Sequence, residues 1–183
     1  KNQQEASKWY LMAAKRGNVQ AQCRMGNRYE KGAGVDKDSQ QAIFWYQKAS
    51  AGGDIRANYR IGLIYERGLG VDKDEKLAFQ WYQKAAKGNH KSAVYKMGML
   101  YEKGVGVEQD IEQAIVWYQK AASLGNKGAL YKIATLYEKG KGIPKDIPEA
   151  LVWYQKAAQA GHKGACYKIA KKKKKGNDVS KDM

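Results

Sequence analysis

Polar and apolar positions along the chain follow one helical frame, written five times. Tryptophan recurs at Trp9, Trp45, Trp81, Trp117 and Trp153, always 36 residues apart. A tyrosine follows each one (Tyr10, Tyr46, Tyr82, Tyr118, Tyr154), with an alanine three residues before the tryptophan and another four after it, as in Ala42 and Ala49. Spacings of three and four put these side chains on one face of a helix. This helix, helix A of the unit, opens at Asn2, Asp38, Asp74, Asp110 and Asp146, whose side chains suit the free backbone N–H groups of a first turn. Four of the five have Glu or Gln three residues later, completing a reciprocal cap. Pro148 falls in a first turn, where its missing N–H costs least. The helix stops at Gly17, Gly53, Asn89, Gly125 and Gly161, where a left-handed residue is needed and Asn substitutes for Gly.

A second helix, helix B, follows at once. Its apolar face is written by Ala21, Met25 and Tyr29 in the first copy, by Ala57, Ile61, Ile64 and Tyr65 in the second, and by Ala129, Ile133, Leu136 and Tyr137 in the fourth. A small residue interrupts each copy, at Gly26, Gly62, Gly98, Ala134 and Ala170. Glycine costs about 1 kcal/mol against alanine inside a helix, so a close helix approach is predicted at these points. The loops that follow, GAGVDKD, GLGVDKD and GVGVEQD, supply glycines for positive φ and a single Val predicted to plug back into the layer below. One such hairpin cannot bury both of its apolar stripes, whereas stacked copies form a continuous core. The predicted fold is an all-α solenoid of five 36-residue helix-turn-helix repeats at 2–37, 38–73, 74–109, 110–145 and 146–181, in one domain over 1–183.

Length and composition fit that reading. A chain of 183 residues can bury roughly 70% of its unfolded surface as one body without metal or disulfide support. It holds no run of eighteen apolar residues that would cross a membrane as a helix. Lys1 in place of Met is expected of a fragment or a processed form, which leaves open whether further repeats precede it. Two cysteines, Cys23 and Cys166, lie far apart in sequence and make no disulfide framework.

The repeated residues resemble the Sel1-like repeat family, relatives of the tetratricopeptide repeats. Its pattern A-x-x-W/Y-Y-x-K-A-A-x-x-G, then A-x-x-x-(apolar)-G-x-x-Y-x-x-G-x-G-V-x-x-D, is nearly unbroken in AIFWYQKASAGGDIRANYRIGLIYERGLGVDKD, and the match spans Asn2 to Lys181. The resemblance implies a right-handed superhelix acting as a protein-binding adaptor or scaffold, with no catalysis of its own. Bacterial members include host-interaction proteins and regulators of envelope or signalling pathways, which favours an exported or periplasmic location and leaves a cytoplasmic one open. A branch with a cysteine pair in each repeat has been linked to penicillin binding, and this chain lacks those pairs.

Candidate chemistry is sparse. His90 and His162 share one column, directly after the stop of helix A, where the other copies carry Asn18, Asp54 and Asn126. They are read as N-caps of helix B rather than as a metal or acid–base pair. Cys23 and Cys166 are read as small core or surface residues, and no glycine loop carries the Lys-Ser/Thr of a phosphate cradle. No catalytic residue, metal or cofactor is called for.

The net charge of +16 and a pI near 9.7 raise the case for an anionic partner. The basic residues form columns: Arg24, Arg60, Lys96, Lys132 and Lys168; Lys31, Arg67, Lys103, Lys139 and Lys175; and Lys48, Lys84, Lys120 and Lys156 on helix A. Glu30, Glu66, Glu102 and Glu138 run beside one of them as a neutralising ladder, and a solvated face is the favoured reading. Lys171 to Lys175 stand where other copies have Thr-Leu-Tyr-Glu-Lys, so Lys172 and Lys173 replace residues that would meet a following repeat. The run is read as a solubilising cap of the last repeat, with an anionic-partner arm and an artefact as alternatives.

If helix A lines the concave side, as in tetratricopeptide repeats, a peptide or protein partner would meet Gln47, Gln83, Gln119 and Gln155, with Lys76 and Glu112 in a more variable column. Tyr46, Tyr82, Tyr118 and Tyr154 would present hydroxyls beside them, while the tryptophans pack the core. Amides at this spacing can bond a peptide backbone, and they serve equally as solvent-facing helix formers. The expectation is a monomeric, non-catalytic scaffold for a peptide or protein, without a small-molecule substrate. The alternative is an electrostatic binder of nucleic acid or a membrane surface through the basic columns and tail.

Overall fold

The computed structural model describes the backbone over residues 2–179 and side chains up to 172. It contains ten helices and no strand among the described residues: α1 (Asn2–Lys15), α2 (Val19–Lys31), α3 (Ser39–Ala51), α4 (Ile55–Arg67), α5 (Glu75–Lys87), α6 (Lys91–Lys103), α7 (Ile111–Ser123), α8 (Lys127–Lys139), α9 (Ile147–Gln159) and α10 (Lys163–Val179). Each helix packs on its neighbours in sequence, giving the predicted all-α solenoid.

The ends follow local chemistry. Asp38, Asp74, Asp110 and Asp146 each accept a hydrogen bond from a backbone N–H three residues on, at 2.8 to 2.9 Å. Asn89, in the stop position held elsewhere by glycine, has φ +60°. Val35, Val71, Val107 and Ile143 turn back onto the core from the loops, as expected.

The interrupting glycines mark the closest helix contacts. A Cβ at Gly62 would lie 2.7 Å from the ring of Tyr82, and one at Gly98 would lie 2.6 Å from that of Tyr118. Each glycine admits a tyrosine ring flat against a helix backbone, and in α8 the buried Ala134 takes the same place.

Two expectations need correction. Tyrosine forms the core, and tryptophan does so only in part: Tyr46, Tyr82, Tyr118 and Tyr154 are fully buried, while Trp81, Trp117 and Trp153 are half-buried and Trp9 is 64% exposed. Adjacent helical residues diverge by about 100°, so only one of each Trp-Tyr pair can enter the seam. The tyrosine enters, and Lys84 and Lys156 cover the faces of Trp81 and Trp153, with Nζ 4.3 and 4.2 Å from the ring centres.

The second correction concerns pairing. Helix α3 packs more extensively on α2 than on α4, and the same preference recurs for α5 on α4, α7 on α6 and α9 on α8. The tight hairpin is therefore an even-numbered helix followed by an odd one, half a unit out of step with the pairing drawn from the tryptophans.

Candidate functional site

The tyrosine hydroxyls expected on a binding surface are engaged inside the stack. Tyr46, Tyr82, Tyr118 and Tyr154 donate to Glu30, Glu66, Glu102 and Glu138 of the preceding even helix, at 2.6, 2.7, 2.5 and 2.6 Å. The same carboxylates meet Arg60, Lys96, Lys132 and Lys168 from the next even helix, at 3.5, 2.9, 3.1 and 2.8 Å. Every inter-repeat joint thus holds one Tyr–Glu–cation triad. A hydrogen bond to a carboxylate contributes about 1.5–3 kcal/mol, while each part-exposed ion pair adds less than about 1 kcal/mol. Burial raises the Glu138 carboxyl, but hydrogen bonds from Lys168, Tyr154 and Lys172 outweigh it and hold it down at about 2. Glu66 is likewise lowered, by Lys96 and Tyr82 against its burial. Burial and the neighbouring carboxylate push the Tyr118 hydroxyl well above its ordinary range.

Through these triads the stack is tied along its even helices. Each ion pair between repeats joins one even helix to the next, and α2 touches α4 directly. Among the described residues no ion pair joins successive odd helices. The even helices therefore form one connected face of the stack. Gln47, Gln119 and Gln155 are exposed and Gln83 is half-buried, all on odd helices, and Gln47 lies one turn from the exposed Phe44. Lys76 and Glu112 are exposed in the first turns of α5 and α7. The glutamine column thus stands on the odd helices, and the tyrosines lie buried in the seam.

The face of the even helices carries a groove of about 490 Å3 between α2 and α4, which Ser92 at the start of α6 also lines. Arg24, Lys31, Arg56 and Arg60 rim it, with Cys23, Tyr59 and His90 among its lining residues. His90 caps α6, its Nδ1 accepting from the Ala93 N–H at 3.3 Å, and its ring stacks on Tyr59 at 4.5 Å. Burial lowers its pKa, as fits a neutral capping imidazole. His162 repeats the arrangement on Ala165 and Tyr131. The Cys23 thiol is pushed up to about 11, first by burial and then by Asp54. No cluster able to hold a metal occurs among the described residues.

The lysine run continues α10. Lys171 is exposed, while Lys172 turns back, its Nζ 3.3 Å from Glu138 and 5.9 Å from the centre of the Tyr154 ring. The side chains of Lys173, Lys174 and Lys175 lie outside the described residues.

A family model described as Sel1 repeat matches residues 1–18, 19–54, 55–90, 91–126 and 128–162. The four units from residue 19 onward each begin in an even helix, the pairing found in the packing. Among solved structures, the chain is similar to c5321, a protective antigen of uropathogenic Escherichia coli with an SLR fold: 33% identity, TM-score 0.83, over 92% of this chain and 36% of that one. It is also similar to a Sel1 repeat protein of Oxalobacter formigenes (36% identity, TM-score 0.76, 86% and 67% of the two chains). Helicobacter pylori cysteine-rich protein B shares 26% identity at a TM-score of 0.52, over 71% and 93%. The chain spans about a third of the length of the E. coli antigen. Curated proteins gave no match. With five matched units, the same hairpin phase and the same solenoid, the chain belongs to the Sel1 repeat family.

Proposed function

We propose that the chain is a non-catalytic scaffold that binds a protein partner along its inner surface, formed by α2, α4, α6 and α8. The family consists generally of protein–protein interaction scaffolds. The observation that carries the reading is the groove between α2 and α4, the concave feature that draws side chains from three layers. The basic column of Arg60, Lys96, Lys132 and Lys168 is spent on the glutamate ladder, which weakens the case for a polyanion running along the whole face.

Affinity capture with two variants tests it. Arg24→Glu with Lys31→Glu alters the inner surface, and Gln47→Glu with Gln119→Glu alters the outer one. Proteins retained by the wild type should be lost by the inner variant and kept by the outer variant. The reverse result would move the interface to the odd helices. Retention that collapses steeply between low and physiological salt would return the chain to the polyanion reading.

A further inference from the structure

The groove opens where one column of the inner surface is broken. Tyr59, Tyr95 and Tyr131 occupy equivalent positions on α4, α6 and α8, and each lays its ring against the core tyrosine of the next helix, Tyr82, Tyr118 and Tyr154, at 5.5 Å. In α2 the column holds Cys23 instead. A cysteine is several heavy atoms smaller than a tyrosine, so the groove reaches down to Cys23 where the other layers carry a ring.

The rim of the groove is cationic. Arg24 and Lys31 are exposed and have no carboxylate partner among the described residues. Asp54 fixes Arg56 through two contacts, Nε at 3.0 Å and NH2 at 2.6 Å, and the guanidinium still has 58% of its side chain exposed. Arg56 is therefore held in one orientation with donors to spare. Glu30 meets Arg60 only at 3.5 Å, the longest contact of the ladder. The groove thus combines a small apolar seat with guanidinium groups on both sides.

From this geometry we infer that the groove between α2 and α4 is a binding site for an acidic peptide segment, one aliphatic side chain seated over Cys23 and flanking carboxylates on Arg24 and Arg56. The inference rests on the inner surface being the binding face, and it adds the chemical class of the partner. Guanidinium forks favour carboxylates, which they can engage in pairs. Stacking on His90 keeps the Tyr59 wall in place, so the site needs no rearrangement to accept a peptide.

Cys23→Tyr tests the site without threatening the fold, since it installs the residue that α4, α6 and α8 already carry. The probe is a fluorescein-labelled Glu-Asp-Leu-Asp-Glu peptide followed by anisotropy, with Gln-Asn-Leu-Asn-Gln as the neutral comparison. Wild type should bind the acidic peptide and not the neutral one. Cys23→Tyr and Arg24→Glu should each weaken binding at least about tenfold, while Cys166→Tyr, on the exposed face of α10, leaves it unchanged. A thermal melt of Cys23→Tyr at or above that of wild type shows that the loss is closure of the groove. Undiminished binding by Cys23→Tyr, equal binding of the neutral peptide, or no binding by wild type would each overturn the inference. In those cases, capture of proteins that still depends on Arg24 and Lys31 would leave the inner-surface scaffold standing with a partner of other chemistry.

Discussion

The two ends of the stack face opposite situations. At one end, α1 carries the Ala, Trp, Tyr and Ala of the other odd helices, yet Trp9 is 64% exposed where Trp45 is 7% exposed, and Tyr10 is only half-buried where Tyr46, Tyr82, Tyr118 and Tyr154 are fully covered. No even helix lies over α1 among the described residues. At the other end, α10 has Lys172 in the place of the buried Leu136, and its amine folds back onto Glu138. Among the described residues, α1 keeps the apolar pattern with no even helix over it, and α10 carries a lysine where the pattern has leucine. In a solenoid, burial belongs to the interface between two helices rather than to either helix. The same residue is core in the middle and surface at an end.

The largest effect should come from making the ends alike. Lys172→Leu with Lys173→Tyr and Lys174→Glu rebuilds on α10 the Leu-Tyr-Glu sequence of residues 136–138, the surface that receives an odd helix. The open face of α1 is complementary to it, so the triple variant should associate head to tail, a contact that does not close on itself and extends into filaments. Light scattering that rises with protein concentration for the variant and stays flat for wild type is the expected result. A flat trace for both would mean that charge on α10 does not isolate the ends.

Truncation of equivalent tyrosines comes next. Tyr118→Ala removes a fully buried ring and strands Glu102 beside Lys132, and should cost about 3–5 kcal/mol. Tyr10→Ala, at the open end, should cost about 1 kcal/mol. Urea denaturation followed by circular dichroism measures both. Equal losses would show that α1 is as well supported as the interior.

The smallest effect concerns acid stability. Glu66 and Glu138 have folded pKa values below the ordinary 4.5, so the stability they contribute is complete above that value and is lost as pH falls through the folded value, about 2 for Glu138. Glu138 receives a second lysine, Lys172, that Glu66 lacks. The urea midpoint should therefore fall between about pH 6 and pH 3, and Glu138→Gln should lower the neutral value while flattening that slope. Lys172→Ala should move the Glu138 titration upward in an NMR experiment. A titration that stays where it is would remove Lys172 from the account of that end.

Much of the candidate groove was also written in the chain. The tyrosine column at Tyr59, Tyr95 and Tyr131 has the same period as the tryptophans, and Cys23 is its visible gap. Read alone, Cys23 is one small residue among many; read as the missing member of a column, it marks the layer where space opens. The glutamine column at Gln47, Gln83, Gln119 and Gln155 is just as regular, and regularity does not tell which side of the curve it faces.

From the sequence alone came ten helices, their caps, the left-handed stop at Asn89, the small residues at tight contacts and the glutamate ladder beside a basic column. Each of these depends on neighbours a few residues away or on the 36-residue period, and both are properties of a linear string. Whether Tyr or Trp fills the seam, which helix pairs with which, and which side is concave depend on how two helices approach in three dimensions. Gly62 and Gly98 admit the rings of Tyr82 and Tyr118, and the triads through Glu66 and Glu102 draw the even helices together. A helix presents several faces at the same period, and only the neighbour that packs against one of them makes it the inside.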